Sequence, residues 1–327
     1  MKKFFSLSLA LAVLSLSGCS SSNEADDRPA AGPKAYVGLF GDNAVAVVDT
    51  ASNHVIKKIA VPTGPHGLVI TPDGRKVYVS SDGATTVSVI STSDDSIARS
   101  IEVGMTPHGL AITPDGSQVL LADFGGDQAE IIDTASDTVS ARVSVARPHN
   151  SAISADGTRA FVGSQQMGSP SIAIVDLLAA AEIGSVALEQ APRALDYAPN
   201  GMAYFTLMGV DALQVLDPAT QKLGTAIVTG GSPHHMLATK DGAFELVVSQ
   251  TAGDLEFVDP QAGTVVANVP TGLTPHWIAL SEDGQDAYVT NEGSDSLSVV
   301  DLAGRIVKET IVVGKGPRKV AVQARQP

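Results

Sequence analysis

The chain has 327 residues, 44% of them hydrophobic and 17% charged, a balance that excludes a largely disordered polymer. Acidic residues outnumber basic ones 35 to 21, for a formal net charge of −14, which excludes nucleic acid as a partner because that needs a basic footprint. A single cysteine, Cys19, leaves no disulfide framework and no thiol chemistry for the domain beyond it.

At the N-terminus, Lys2 and Lys3 precede an apolar stretch from Phe4 to Leu16, too short for a permanent bilayer-spanning helix. It runs into Leu16-Ser17-Gly18-Cys19, which resembles the lipobox of bacterial lipoproteins. The resemblance implies that residues 1–18 are a signal peptide. It also implies acylation of Cys19 on its sulfur and its new amine, and attachment to a membrane through those chains. Each buried CH₂ contributes about 0.8 kcal/mol, so several chains anchor firmly. An Asp after the cysteine would imply inner-membrane retention. Ser20 instead implies the outer membrane, with the domain facing the periplasm. Loss of two lysines takes the net charge from −14 to −16, which argues against the domain lying flat on anionic lipid. Residues 19–33 are rich in Ser, Asp, Pro and Ala without an apolar period and read as the lipidated cysteine and a flexible tether.

Residues 34–327 are built from one repeat. Pro65-His66-Gly67-Leu68-Val69-Ile70-Thr71-Pro72-Asp73-Gly74 returns as Pro107-His108-Gly109-Leu110-Ala111-Ile112-Thr113-Pro114-Asp115-Gly116, with weaker copies from Pro148, Pro192, Pro233, Pro275 and Pro317. The steps are 42, 41, 44, 41, 42 and 42 residues. Each period reads as four short strands. Strand a follows the Pro-His pair, as in Gly67–Thr71, and ends in a Pro-Asp-Gly turn. Strand b follows as Lys76–Ser81, strand c alternates and closes on Asp, as in Val45–Asp49, and strand d ends the unit, as in Ile97–Val103.

Seven such units predict an all-β, seven-bladed β-propeller of four-stranded antiparallel blades. The phase also predicts the closure. The chain enters at a strand b, Ala35–Leu39, and leaves on a lone strand a, Lys319–Gln323. The C-terminal strand a therefore joins the N-terminal strands b, c and d, which removes the open edge. With Tyr288-Val289-Thr290-Asn291 standing in a strand b, residues 34–323 resemble the YVTN-repeat propellers. That resemblance implies the fold and leaves function to be argued from the site.

Six of the seven histidines fall on or beside the repeat phrase. His66, His108, His149, His234 and His276 follow the motif proline, His235 adjoins His234, and the other two copies carry Arg193 and Arg318. All belong at one mouth of the central channel. Three readings stand for this ring. The first is packing, each His bonding a neighbouring blade through a carbonyl or carboxylate. The second is a site for a small anionic ligand, drawn by the mixed His and Arg ring. The third is a transition-metal site for Cu or Zn on His66, His108, His149, His234, His235 and His276. For copper, Met167, Met208 and Met236 stand nearby in the chain. Against any metal, equivalent residues on adjacent blades are expected to start well apart. Asp42, Asp127, Asp211, Asp254 and Asp295, near the start of strand c, read as turn caps, with a His–Asp bond across blades as a variant and cation binding as the remaining alternative. No nucleophile elbow, phosphate loop or His-Glu-x-x-His helix occurs. The expectation is a monomeric, non-enzymatic envelope module that binds an envelope protein or small ligand at its histidine face. A copper- or zinc-binding propeller is the alternative.

Overall fold

The computed structural model describes Met1 and residues 33–324. The signal segment, Cys19 and nearly all of the expected tether lie outside the described residues. Among the described residues no helix is long and apolar enough to cross a membrane.

The strands form seven antiparallel sheets, each the blade of a propeller. Blade 1 combines residues 34–60 with the strand Pro317–Val322. Blades 2 to 7 follow as residues 65–102, 107–144, 148–187, 192–228, 233–270 and 275–312. The predicted closure is present: Lys34–Leu39 pairs with Pro317–Val322, Ala35 opposite Val322 and Val37 opposite Val320. Strand a begins slightly earlier than expected, at the motif proline (Pro65–Ile70).

Local chemistry explains the repeat. Strand a ends where Thr71 Oγ1 and the Arg75 amide both donate to Asp73 Oδ1, and Gly74 takes the positive φ of the turn (67°). Strand c closes on Asp because the carboxylate caps the next hairpin: Asp49 Oδ1 accepts from the amides of Ala51 and Ser52 at 2.8 and 3.0 Å. Asp176 and Asp259 do the same. Burial is deepest in strand b and falls toward the outer strand d. Strand b of blade 2, Lys76–Ser81, is buried at all but its first residue, whereas strand d, Ser96–Glu102, buries only Ile101.

The apolar core lies between blades. Val45, Val47 and Ile59 of blade 1 pack on Val77, Val79 and Ile90 of blade 2, and Phe161 and Ile174 of blade 4 pack on Phe205 and Leu216 of blade 5. Polar ties repeat beside this core. Tyr36 and Lys34 both donate to Asp95 of the next blade, at 2.6 and 2.8 Å, and Tyr78 and Lys76 converge on Asp137 in the same way. One blade departs from the pattern: strand d of blade 5 is split into Lys222–Leu223 and Ile227–Val228.

Candidate functional site

All seven a strands enter the axis from the same end, so the residue after each motif proline recurs at one mouth of the channel. The imidazoles there do not stand apart as the spacing suggests. His66 stacks on His108 with ring centroids 3.7 Å apart, His108 lies 4.2 Å from His149, and His66 lies 6.2 Å from His149. A second pair, His234 and His276, sits at 4.1 Å, and His276 reaches His66 at 5.9 Å. The narrow axis of the ring brings side chains from five blades into contact.

Hydrogen bonds fix the orientation of most of these rings. His149 Nδ1 donates to the carbonyl of Arg193 at 2.8 Å, His234 Nδ1 to that of His276 at 3.1 Å, and His276 Nδ1 to that of Arg318 at 3.2 Å. Each bond runs to the same repeat position of the following blade, as the packing reading requires. His108 differs: its Nδ1 donates to Asp82 Oδ1 at 2.9 Å. A ring that donates from Nδ1 keeps its lone pair on Nε2, the arrangement that prepares imidazole to ligate a metal. Among the described residues, His108 Nε2 and His66 Nδ1 are buried with no hydrogen-bond partner. His66, Asp82 and His108 each offer a ligand atom, and these atoms lie within 4.8 Å of one another.

Electrostatics favour the neutral form of four of these rings. Burial, followed by the mutual repulsion of neighbouring imidazoles, holds His66 and His149 well below the usual range. Burial does the same to His276 and brings His234 down to about 3. Neutral imidazole binds metal and does not attract anions. The two arginines are also engaged. Arg318 Nε donates to Glu292 Oε1 at 2.9 Å while its guanidinium lies 3.6 Å above the Phe40 ring. Arg193 donates to Ser232 Oγ and Gln250 Oε1 at 3.1 and 3.3 Å.

The remaining predicted residues divide. Strand alternation turns His235 away from His234: its ring stacks on Trp277 at 3.4 Å, and its Nδ1 accepts from the Ile278 amide at 3.2 Å. Met236 is fully buried in the core between blades 5 and 6, and Met167 and Met208 line an open cleft of about 730 Å³ with Arg147 and Gln165. No thioether belongs to the imidazole cluster. Asp127, Asp211 and Asp295 are caps, each accepting from a backbone amide (Arg147, Ser232 and Gly316) at 2.8, 2.8 and 2.9 Å. Asp42 accepts from the Lys315 amide and the Lys58 ammonium, both at 3.1 Å.

Sequence reasoning missed the residue that follows strand b. Phe40, Asp82, Phe124, Gln165, Gln250 and Glu292 occupy that position, and each meets the mouth. Phe40 meets His66 and Arg318, Asp82 and Phe124 meet His108, Gln165 bonds the Pro192 carbonyl, Gln250 meets Arg193, and Glu292 meets Arg318. Their regular recurrence in the repeat was the available signal. Lys319 was also missed. Its ammonium is buried, lies 3.9 Å from the centre of the Trp277 ring and donates to the Leu110 carbonyl at 3.3 Å, and burial brings its pKa down to about 7.

The fold and the site define a seven-bladed β-propeller with an imidazole-lined mouth. The sequence matches the YNCE-like beta-propeller family over residues 28–327, and the chain belongs to that family. No curated protein matches it. Among solved structures, hydrazine synthase from Kuenenia stuttgartiensis is similar, at 21% identity and a TM-score of 0.73 over 80% of this chain and 90% of that one. The periplasmic gluconolactonase PpgL of Pseudomonas aeruginosa shares 18% identity, with a TM-score of 0.72 over 89% and 99% of the two chains. AztD from Citrobacter koseri shares 14%, with a TM-score of 0.67 over 89% and 97%. At these identities the likeness is one of fold.

Proposed function

We propose that this chain is an exported, lipid-anchored binding module that holds one transition-metal ion at the mouth of its channel and catalyses no reaction. The observation that carries the reading is the pair of buried, unpartnered imidazole nitrogens, His66 Nδ1 and His108 Nε2, beside the Asp82 carboxylate. A buried polar atom without a partner costs about 1–3 kcal/mol, and a metal ion satisfies two such atoms at once. Zn–N bonds are about 2.0–2.1 Å long, so a shared ion requires the stacked His66 and His108 rings to turn toward it.

The donor set also favours an ion. Imidazole with a carboxylate suits Zn(II) and Cu(II), whereas Cu(I) draws on thiolate and thioether ligands. With Met236 in the core and Met167 and Met208 in a separate cleft, the cluster offers nitrogen and oxygen only. His149, which lies against both rings, can complete the coordination sphere.

Elemental analysis of the mature protein after zinc or copper loading is the test. The expected content is one ion per chain, lost in His108→Ala. A content far below one in the loaded wild type would end the metal reading. The anchor has its own check. Cys19→Ser is expected to release a folded domain into the soluble envelope fraction, and a variant that stays membrane-bound contradicts lipid attachment.

A further inference from the structure

Blades 3, 6 and 7 carry a polar pocket at equivalent positions. It is formed by the last residue of strand b and the first and third residues of strand c, facing strand d. In blade 3 these are Asp123, Gln128 and Glu130, with Arg142 opposite Glu130 in the strand register. Arg142 Nε donates to Glu130 Oε1 at 3.2 Å, Gln128 Nε2 donates to both carboxylates at 3.1 Å, and the Gly104 amide donates to Glu130 Oε1 at 2.9 Å. A built-in cation thus compensates the acids. In blade 7 the pocket is neutral, and Asn291 bonds Ser296 and Ser298.

Blade 6 keeps the acids and lacks the cation. Its pocket residues are Ser249, Asp254 and Glu256, and the residue opposite Glu256 is Asn268. Ser249, Asp254 and Glu256 are 0%, 8% and 1% exposed. Among the described residues, Asp254 Oδ1 and Glu256 Oε2 are buried without a hydrogen-bond partner of good geometry, and only the neutral Asn268 and Ser249 side chains lie close enough to Asp254 and Glu256 to interact with them. Glu256 Oε1 is held by the Gly230 amide at 2.7 Å, and a Cβ on Gly230 would meet Glu256 Oε1 at 2.2 Å and Ser249 Oγ at 3.0 Å. The missing side chain at Gly230 is therefore what lets the loop close over these oxygens. Burial pushes both carboxyls upward, as it does those of Asp123 and Glu130 in blade 3. Two buried carboxylates side by side need either protons or a cation.

We propose that this pocket of blade 6 binds a hard, oxygen-seeking cation, in the first place Ca²⁺, through Asp254, Glu256 and Ser249. An all-oxygen donor set excludes the soft metals. Ca²⁺ accepts irregular oxygen cages completed by water and carbonyls, where Mg²⁺ demands a near-ideal octahedron. This site is independent of the imidazole cluster and does not rest on the reading of that cluster.

The test compares the chelator-stripped mature protein with two variants by calorimetric titration of CaCl₂ and by melting temperature. The wild type is expected to bind one Ca²⁺ and to melt several degrees higher with it. Glu256→Gln is expected to lose that binding. Asn268→Arg installs the counter-ion that blade 3 already carries; it is expected to fold, to melt at least as high as the calcium-free wild type, and to ignore calcium. The far-ultraviolet circular dichroism spectrum serves as the control for an intact fold in both variants. Absence of calcium binding by the wild type, or undiminished binding by Asn268→Arg, overturns the proposal.

Discussion

The two arcs of histidine at the channel mouth are built from the same repeat phrase yet differ in what they leave free. In blades 6 and 7, His234 and His276 pass their Nδ1 protons to carbonyls one blade on, and Arg318 with Glu292 closes the arc. In blades 2 and 3, His108 is turned by a carboxylate instead, and His66 has no partner for Nδ1. The first arrangement ends in a packed interface. The second leaves two buried lone-pair nitrogens beside an acid. A repeat position therefore has no single role, and the residue after strand b decides it: Asp82 beside one arc, Glu292 already bound to arginine beside the other.

The comparison breaks most visibly in metal affinity. His108→Ala is expected to weaken zinc binding about a hundredfold or more, and His234→Ala to change it less than about threefold. Competition titration against a chromophoric chelator checks this, and equal losses in both arcs would erase the distinction. Asp82→Asn leaves the ligands in place but withdraws the charge that orients His108. A loss of about tenfold is expected in the same titration.

The second arc should show itself in stability. Burial lowers the His234 pKa from 6.5 to about 3, so the unfolded chain takes up its proton first as pH falls. The stabilisation is complete above pH 6.5 and drains away below it. One proton is worth at most about 1.4 kcal/mol per pH unit, or about 2 kcal/mol between pH 6.5 and 5. His234→Gln is expected to flatten that part of the curve in urea denaturation, and an unchanged slope would contradict it. The smallest effect belongs to Arg318→Ala, which uncovers Phe40 and frees Glu292 at a cost of about 1 kcal/mol, measurable as a shift in urea midpoint.

Much of the architecture was legible in the sequence because a repeat carries its own phase. The sevenfold recurrence of the motif proline, followed by His five times and Arg twice, set the blade count, and entry at strand b with exit at strand a set the closure. The ring of His and Arg was legible for the same reason. What spacing cannot show is how far side chains reach across a narrow axis, so His66 and His108 turned out to be in contact. The partner Asp82 was passed over because attention went to acids nearer strand c, such as Asp127 and Asp295, whose carboxylates are spent on loop amides. His235 looked like a ring member by adjacency alone; alternation along the strand placed it against Trp277. Asp254 of blade 6 read as a turn cap, and its pairing with Glu256 was not legible because its meaning lies in a cross-strand register, Asn268 standing where blade 3 has Arg142.

The most direct measurement is a zinc-soaked crystal of the mature protein with anomalous data across the zinc edge. One anomalous peak bonded to His66 and His108, with Asp82 holding the His108 ring from behind, is the predicted result. A peak at the His234–His276 pair instead, or none at the channel mouth, would contradict the account.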